Sequence, residues 1–168
     1  MYHYTIGNRL PLIRKSGALL PLGAKLGIKE LPQLWFSEEP IFEPSALRLQ
    51  FVDRRLIRPS FEQYHAMYEC YRFLLRDQRC LKSFSKVCRA AHLVPDTIAE
   101  MKQVCIDTGA RHELWRGTVD TVALSQLTLE KWNGTSWDAA DFRLEASRHA
   151  GGAGSVRYGP ISDRRWAA

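Results

Sequence analysis

Long apolar runs, closely spaced cysteines and internal repeats are all missing from this chain of 168 residues. The longest apolar stretches, around Leu10 to Ile13 and Leu19 to Leu26, are broken by Pro, Gly or Lys well short of the roughly 20 residues that a membrane-crossing helix needs. The expectation is a soluble protein with no membrane partner. Cys70, Cys80, Cys88 and Cys105 form no C-x-x-C step and have no histidine at zinc-ligand spacing. That argues against a metal site and for a reducing compartment, the cytoplasm. Cys70 and Cys105 fall within helical patterns and read as small core side chains. The opening run Met1 to Thr5 lacks a basic stretch followed by an apolar one, so no secretory leader is expected.

What is present is the composition of one ordinary globular domain, 45% hydrophobic and 11% aromatic. A chain of this length buries roughly 70% of its unfolded surface and needs neither metal nor disulfide to hold a core. The net charge of +6 is unevenly spread. Residues 51–93 carry nine basic and four acidic side chains, 94–147 carry five and nine, and 148–168 carry four and one. A basic middle and tail beside an acidic third quarter suit a polyanionic partner, either a nucleic acid or a nucleotide pyrophosphate, at segment 51–93.

Tyr2 to Thr5 reads as a strand, followed by a helix with Asn8 as cap, Pro11 in its first turns and Gly17 as its stop. Leu19 to Leu22 suggests a second short strand, and Gln33 to Ser37 a buried one. The middle, about 60–109, reads as helical. Ser60 and Gln63 form a capping box, and Phe61, Tyr64, Tyr68, Tyr71 and Leu75 recur at spacings of three and four. A further helix opens at Pro95 and closes at Gly109. Trp115 to Leu124 and Leu127 to Trp132 then read as extended, with Asn133-Gly134 as a hairpin turn. From about Ala146 the periodicity is lost, which predicts a domain over 1–145 and a flexible basic tail over 146–168.

Three polar positions stand at the ends of strand-like runs, where side chains project into clefts. They are His3 with Thr5, the run Trp35-Phe36-Ser37, and Asp120 inside a β-branched stretch where a carboxylate is disfavoured. Here the chain resembles the ADP-ribosyltransferase superfamily. The resemblance rests on Tyr2-His3-Tyr4-Thr5, on Leu10, Ile13 and Gly17-Ala18-Leu19, on Leu34 to Ser37, and on Asp120 ahead of Thr121 to Leu124. Residues 1–142 are also similar to small proteins of phages and bacterial mobile elements that share the H-Y-T, W-F-S and W-x-G-[ST] steps, the last at Trp115 to Thr118.

The resemblance implies an α+β fold with a split β-sheet core and an inserted helical middle segment. It also implies NAD as substrate. His3 would bond the nicotinamide ribose, Thr5 would support the adenosine side or the strand end, Trp35 or Phe36 would stack on nicotinamide, and Ser37 would bond nearby. Asp120 would be the catalytic carboxylate, since a fixed carboxylate stabilises the oxocarbenium character that builds on the ribose. Arg116 is a candidate for the pyrophosphate, because guanidinium binds phosphate bidentately. Many members use Glu where Asp120 stands, and Thr118 two positions earlier excludes the E-x-E pair of arginine-specific members; the nearest other carboxylates are Glu113 and Glu130. The expected activity is ADP-ribosyl transfer to a protein or nucleic-acid target, in the setting of phage–host conflict. The alternative is a catalytically inactive member that blocks a defence partner through its basic face.

Overall fold

The computed structural model describes residues 1–22, 29–52 and 55–150. The chain opens with strand β1 (Tyr2–Ile6), a 3-10 turn over Gly7–Arg9, and helix α1 (Leu10–Ser16). The helix therefore starts two residues past the expected Asn8 cap. It stops at Gly17, which takes the left-handed conformation at φ 70° and donates its N–H to the Ile13 and Arg14 carbonyls. Strand β2 (Ala18–Leu19) follows, then β3 (Leu34–Ser37), the ribbon of β4 (Gln50–Val52) and β5 (Arg55–Ile57), and helix α2 (Phe61–Tyr68). The capping box at Ser60 is present: its hydroxyl accepts from the Gln63 N–H, and the Gln63 side chain accepts from the Ser60 N–H at 2.9 Å.

The stripe that predicts helix through Leu75 is cut short. Glu69, at φ 51°, turns the chain, its N–H on the His65 carbonyl, and the next N–H, of Cys70, is accepted by His65 Nδ1 at 3.2 Å. Cys70–Leu75 then runs as strand β6. Its six residues are almost all buried, so Tyr71, Phe73 and Leu75 fit a period of two on one face while also matching helical spacing with α2. The expected all-helical middle thus contains a central strand and the short β7 (Lys82–Ser83), alongside α3 (Phe84–Ala90) and α4 (Pro95–Thr108). Helix α4 ends as expected at Gly109, φ 71°.

The remaining elements are β8 (Trp115–Thr118), β9 (Val122–Ala123), β10 (Leu127–Trp132), β11 (Trp137–Ala139) and α5 (Phe142–Ala150). Seven strands form one antiparallel sheet in the order β11-β10-β6-β1-β3-β8-β7. The pairing of β1 with β6 runs from Tyr2↔Leu74 to Ile6↔Cys70, and that of β3 with β8 from Leu34↔Thr118 to Ser37↔Trp115. Between these two halves β1 and β3 share one register pair, Tyr2↔Ser37.

The register sorts the side chains. His3, Phe36, Tyr71, Phe73, Leu75 and Leu129 face α1 and α5, and most of them form the main core with Leu10 and Ala146. On the other face Trp35 and Trp115 pack under α3 and α4 with Phe84, Cys88, Met101 and Cys105, while Ile6 and Cys70 pack under Tyr64 of α2. The tail expected from residue 146 begins instead as helix. Ala146 is 1% exposed, and α5 carries the domain past 145 to Ala150. The rest of that expected tail, 151–168, lies outside the described residues.

Candidate functional site

The joint between the two half-sheets is held by a side chain as well as by backbone. One position past the Tyr2↔Ser37 pair, His3 Nδ1 lies 2.9 Å from the Trp35 carbonyl oxygen. A carbonyl can only accept, so Nδ1 carries the hydrogen. His3 is buried with its ring 5.7 Å from that of Phe36. Desolvation by burial pushes its pKa below the ordinary value, more strongly than the Trp35 carbonyl pulls it up. The imidazole is therefore neutral near pH 7, with a lone pair on Nε2 that acts as an acceptor.

Farther along β1, on the face under α2 and away from His3, lies a notch of about 20 Å³. It is lined by Thr5, Ile6, Phe42 and Tyr64, with the half-buried guanidinium-bearing Arg9 and Arg48 at its side. Tyr4 also lines it, donating its hydroxyl to the Glu39 carbonyl, and burial raises the pKa of that hydroxyl so that it stays protonated. Arg9 and Arg48 were not among the residues expected here. Arg9 closes the short turn between β1 and α1, a basic residue at the helix start. Arg48 sits in an irregular segment and had no local signal.

The other expected residues are distributed over both faces. Phe36 shares the His3 face, and Arg116 stands opposite it in register. Arg116 is tied down, with Nη2 2.6 Å from Glu38 and Nη1 donating to the Glu113 carbonyl at 2.7 Å. Trp35 and Ser37 point to the other face. Trp35 packs between Phe84 and Trp115, at centroid distances of 5.7 and 5.9 Å, and its indole N–H meets no acceptor among the described residues. Ser37 is buried and donates to the Glu43 carboxylate at 2.6 Å.

The expected strand from Trp115 to Leu124 is broken in two. Thr118 Oγ1 accepts from the Asp120 N–H at 3.0 Å, and this turn sends the chain off to pair β9 with β2. Asp120 is consequently exposed in a bend, with its carboxylate accepting from the Thr118 hydroxyl at 3.3 Å. The structure brings His3 and Phe36 together, sets Thr5 two positions on along the same face, and does not bring Trp35, Ser37 or Asp120 into that group.

Of the expected basic face, Arg72 is buried and paired with Glu130 at 2.6 Å, and Arg54 lies outside the described residues. Arg55, Arg58, Arg76, Lys82, Lys86 and Arg89 are exposed. Burial pushes the Cys70 thiol up to about 12 and the Cys88 and Cys105 thiols up to about 11, values that suit core side chains and not nucleophiles. Among the described residues no group of His, Cys, Asp or Glu is placed to hold a metal ion, and no helix is long and apolar enough to cross a membrane. No family model, no curated protein and no solved structure matches the chain.

Proposed function

We propose that the chain is an NAD-consuming ADP-ribosyltransferase whose nucleotide lies along the joint between β1 and β3 and whose target is a macromolecule. His3 carries this reading: a buried, neutral imidazole whose Nδ1 is pinned by Trp35 leaves Nε2 as an acceptor fitted to a ribose hydroxyl. Thr5 lies two positions on along the His3 face, and Arg9 and Arg48 line the notch on the α2 face, so they suit a diphosphate that crosses from one face to the other at the end of β1. These groups fit the ribose and phosphates of NAD. The notch itself holds a solvent-sized volume, so a dinucleotide would lie across its open side. Trp35 does not fit the stacking role, because its ring is occupied by Phe84 and Trp115; Phe36 is the aromatic on the His3 face.

When bound, NAD supplies a ribosyl carbon activated by its nicotinamide leaving group. His3 would orient the ribose and the arginines would balance the phosphate charge, while Asp120, exposed in the bend after β8 and outside the His3 group, would stabilise positive charge or steer the acceptor only for a ribose that reaches that bend. The test is NAD titration by calorimetry with release of free nicotinamide read by chromatography. Binding and release are expected, with His3→Ala weakening binding at least tenfold and Asp120→Asn abolishing release while binding persists. Absence of both NAD binding and nicotinamide release overturns the reading.

The exposure of Asp120 favours a second reading, a catalytically inactive member acting as a binding protein. Its surface would be the β4–β5 ribbon, where Phe51 and Leu56 pair across the strands, both more than half exposed, beside Arg55 and Arg58. NAD-independent binding of a nucleic acid that falls steeply as salt rises supports it over the first reading.

A further inference from the structure

We infer that the pocket between α3 and α4 is a binding site for a small amphipathic anion, an apolar body ended by a carboxylate or a phosphate. The pocket lies beside the turn that joins these helices. His92 takes φ 55°, the Leu93 N–H returns to the Cys88 carbonyl at 2.9 Å, and Leu93 drops between the helices. Helix α4 is then held in place from a distant segment. The buried Glu30 carboxylate accepts from the Val94 N–H at 3.0 Å and from the Thr97 hydroxyl at 2.8 Å, taking the role of a capping side chain at the positive end of the helix.

The space left is about 360 Å³. That lies in the lower part of the range of small-molecule sites and admits on the order of a dozen non-hydrogen atoms. Its floor is apolar: Phe84, Cys88 and Leu93 are buried and Ile98 is half-buried. Phe84 is a fixed floor, resting on Trp115 at 5.8 Å and Trp35 at 5.7 Å. The rim holds Arg89, Lys102 and His112, and no carboxylate lies among the described residues that line the pocket. His112 is already engaged, its Nδ1 3.3 Å from Glu113, so the exposed Arg89 and Lys102 supply the attraction. Apolar floor and cationic rim together select a ligand with an anionic end. A purely apolar ligand would forgo the rim, and a simple anion would leave the floor wet. The site lies on the sheet face away from His3 and does not depend on NAD.

Isothermal titration of the full chain with octanoate and with phenyl phosphate tests this, with octylammonium as the charge-reversed control. At least one of the two anions should bind at one site with a dissociation constant on the order of 0.1 mM, and octylammonium at least tenfold more weakly. The tighter of the two anions identifies the headgroup. Reversing the rim with Arg89→Glu and Lys102→Glu, both exposed positions, should weaken the anion at least tenfold. Ile98→Trp should fill the pocket and abolish binding; if that variant melts early, the rim reversal decides. Failure of both anions to bind, equal binding of octylammonium, or unchanged affinity after rim reversal overturns the site. None of these readouts involves NAD, so loss of the His3 reading leaves this test standing.

Discussion

The two halves of the sheet are assembled by different means. In the half made of β11, β10, β6 and β1, polar pairs cross from strand to strand. Arg72 on β6 meets Glu130 on β10 at 2.6 Å while its guanidinium lies 3.9 Å from the Tyr2 ring centroid, and the Tyr71 hydroxyl donates to Glu145 of α5 at 2.5 Å. In the half made of β3, β8 and β7, shape sets the register. Trp35 stands opposite Gly117, and the space a Cβ would fill there is taken by the Leu34 carbonyl, at 2.8 Å, and the Trp35 ring, at 2.9 Å. Directional pairs fix the first half and an aromatic lying over a glycine fixes the second. Between them stand one backbone pair and one imidazole, so the thinnest part of the sheet coincides with the candidate nucleotide site.

The sharpest way to break the second half alone is Gly117→Val. A side chain there must displace a backbone carbonyl and the Trp35 ring, at a cost of about 4 kcal/mol in urea melts. Hydrogen exchange should show amides of β3 and β8 losing protection before those of β6 and β10; uniform loss would mean that the halves are not separate units. In the first half, Arg72→Met leaves the half-buried Glu130 without its partner and should cost about 2 kcal/mol. Adding Glu130→Gln should recover most of that loss, and a double-mutant cycle with no coupling would show that the ring contacts of Arg72, not its charge pair, are what matter.

The smallest effect concerns the joint. Because the folded-state pKa of His3 is lowered, the unfolded chain takes up its proton first. The stabilisation this histidine provides is thus complete above its unfolded value of 6.5 and is lost as pH falls through and below it, by at most about 1.4 kcal/mol per pH unit. His149, also lowered by burial, adds to the same trend. His3→Asn, which keeps a donor for the Trp35 carbonyl but cannot titrate, should flatten the denaturation midpoint between pH 7.5 and 5.5. An unchanged slope would assign the acid sensitivity to His149.

Much of this architecture was legible in the sequence. The capping box at Ser60, the glycine stops at Gly17 and Gly109, the buried run at Leu34 to Ser37 and the turn at Asn133 are local signals with local causes. What misled was coincidence of period. Tyr68, Tyr71 and Leu75 suit a helix and a strand equally, and only the bend at Glu69, supported by His65, decides between them. The W-F-S step, a candidate site feature, and the W-x-G-T step, a motif of the resemblance, are neighbouring strands paired residue for residue, so part of their pattern is packing. Asp120 was read inside a strand because the Thr118 side chain that turns the chain is indistinguishable, in sequence, from an ordinary β-branched residue. Buried carboxylates such as Glu30 and Glu43 gave no local sign, since their partners lie far off in the chain or depend on the loop path.

The sheet ends in β7, two residues including Lys82, on one side and in the three-residue β11, with Asp138 at its centre, on the other. Strands this short, each bearing a charge, offer an incoming chain too little continuous backbone to recruit. A seven-stranded antiparallel sheet with broad apolar faces would otherwise invite stacking edge to edge. Lengthening either outermost strand with uncharged β-branched residues would instead present a continuous edge on which a second chain could add.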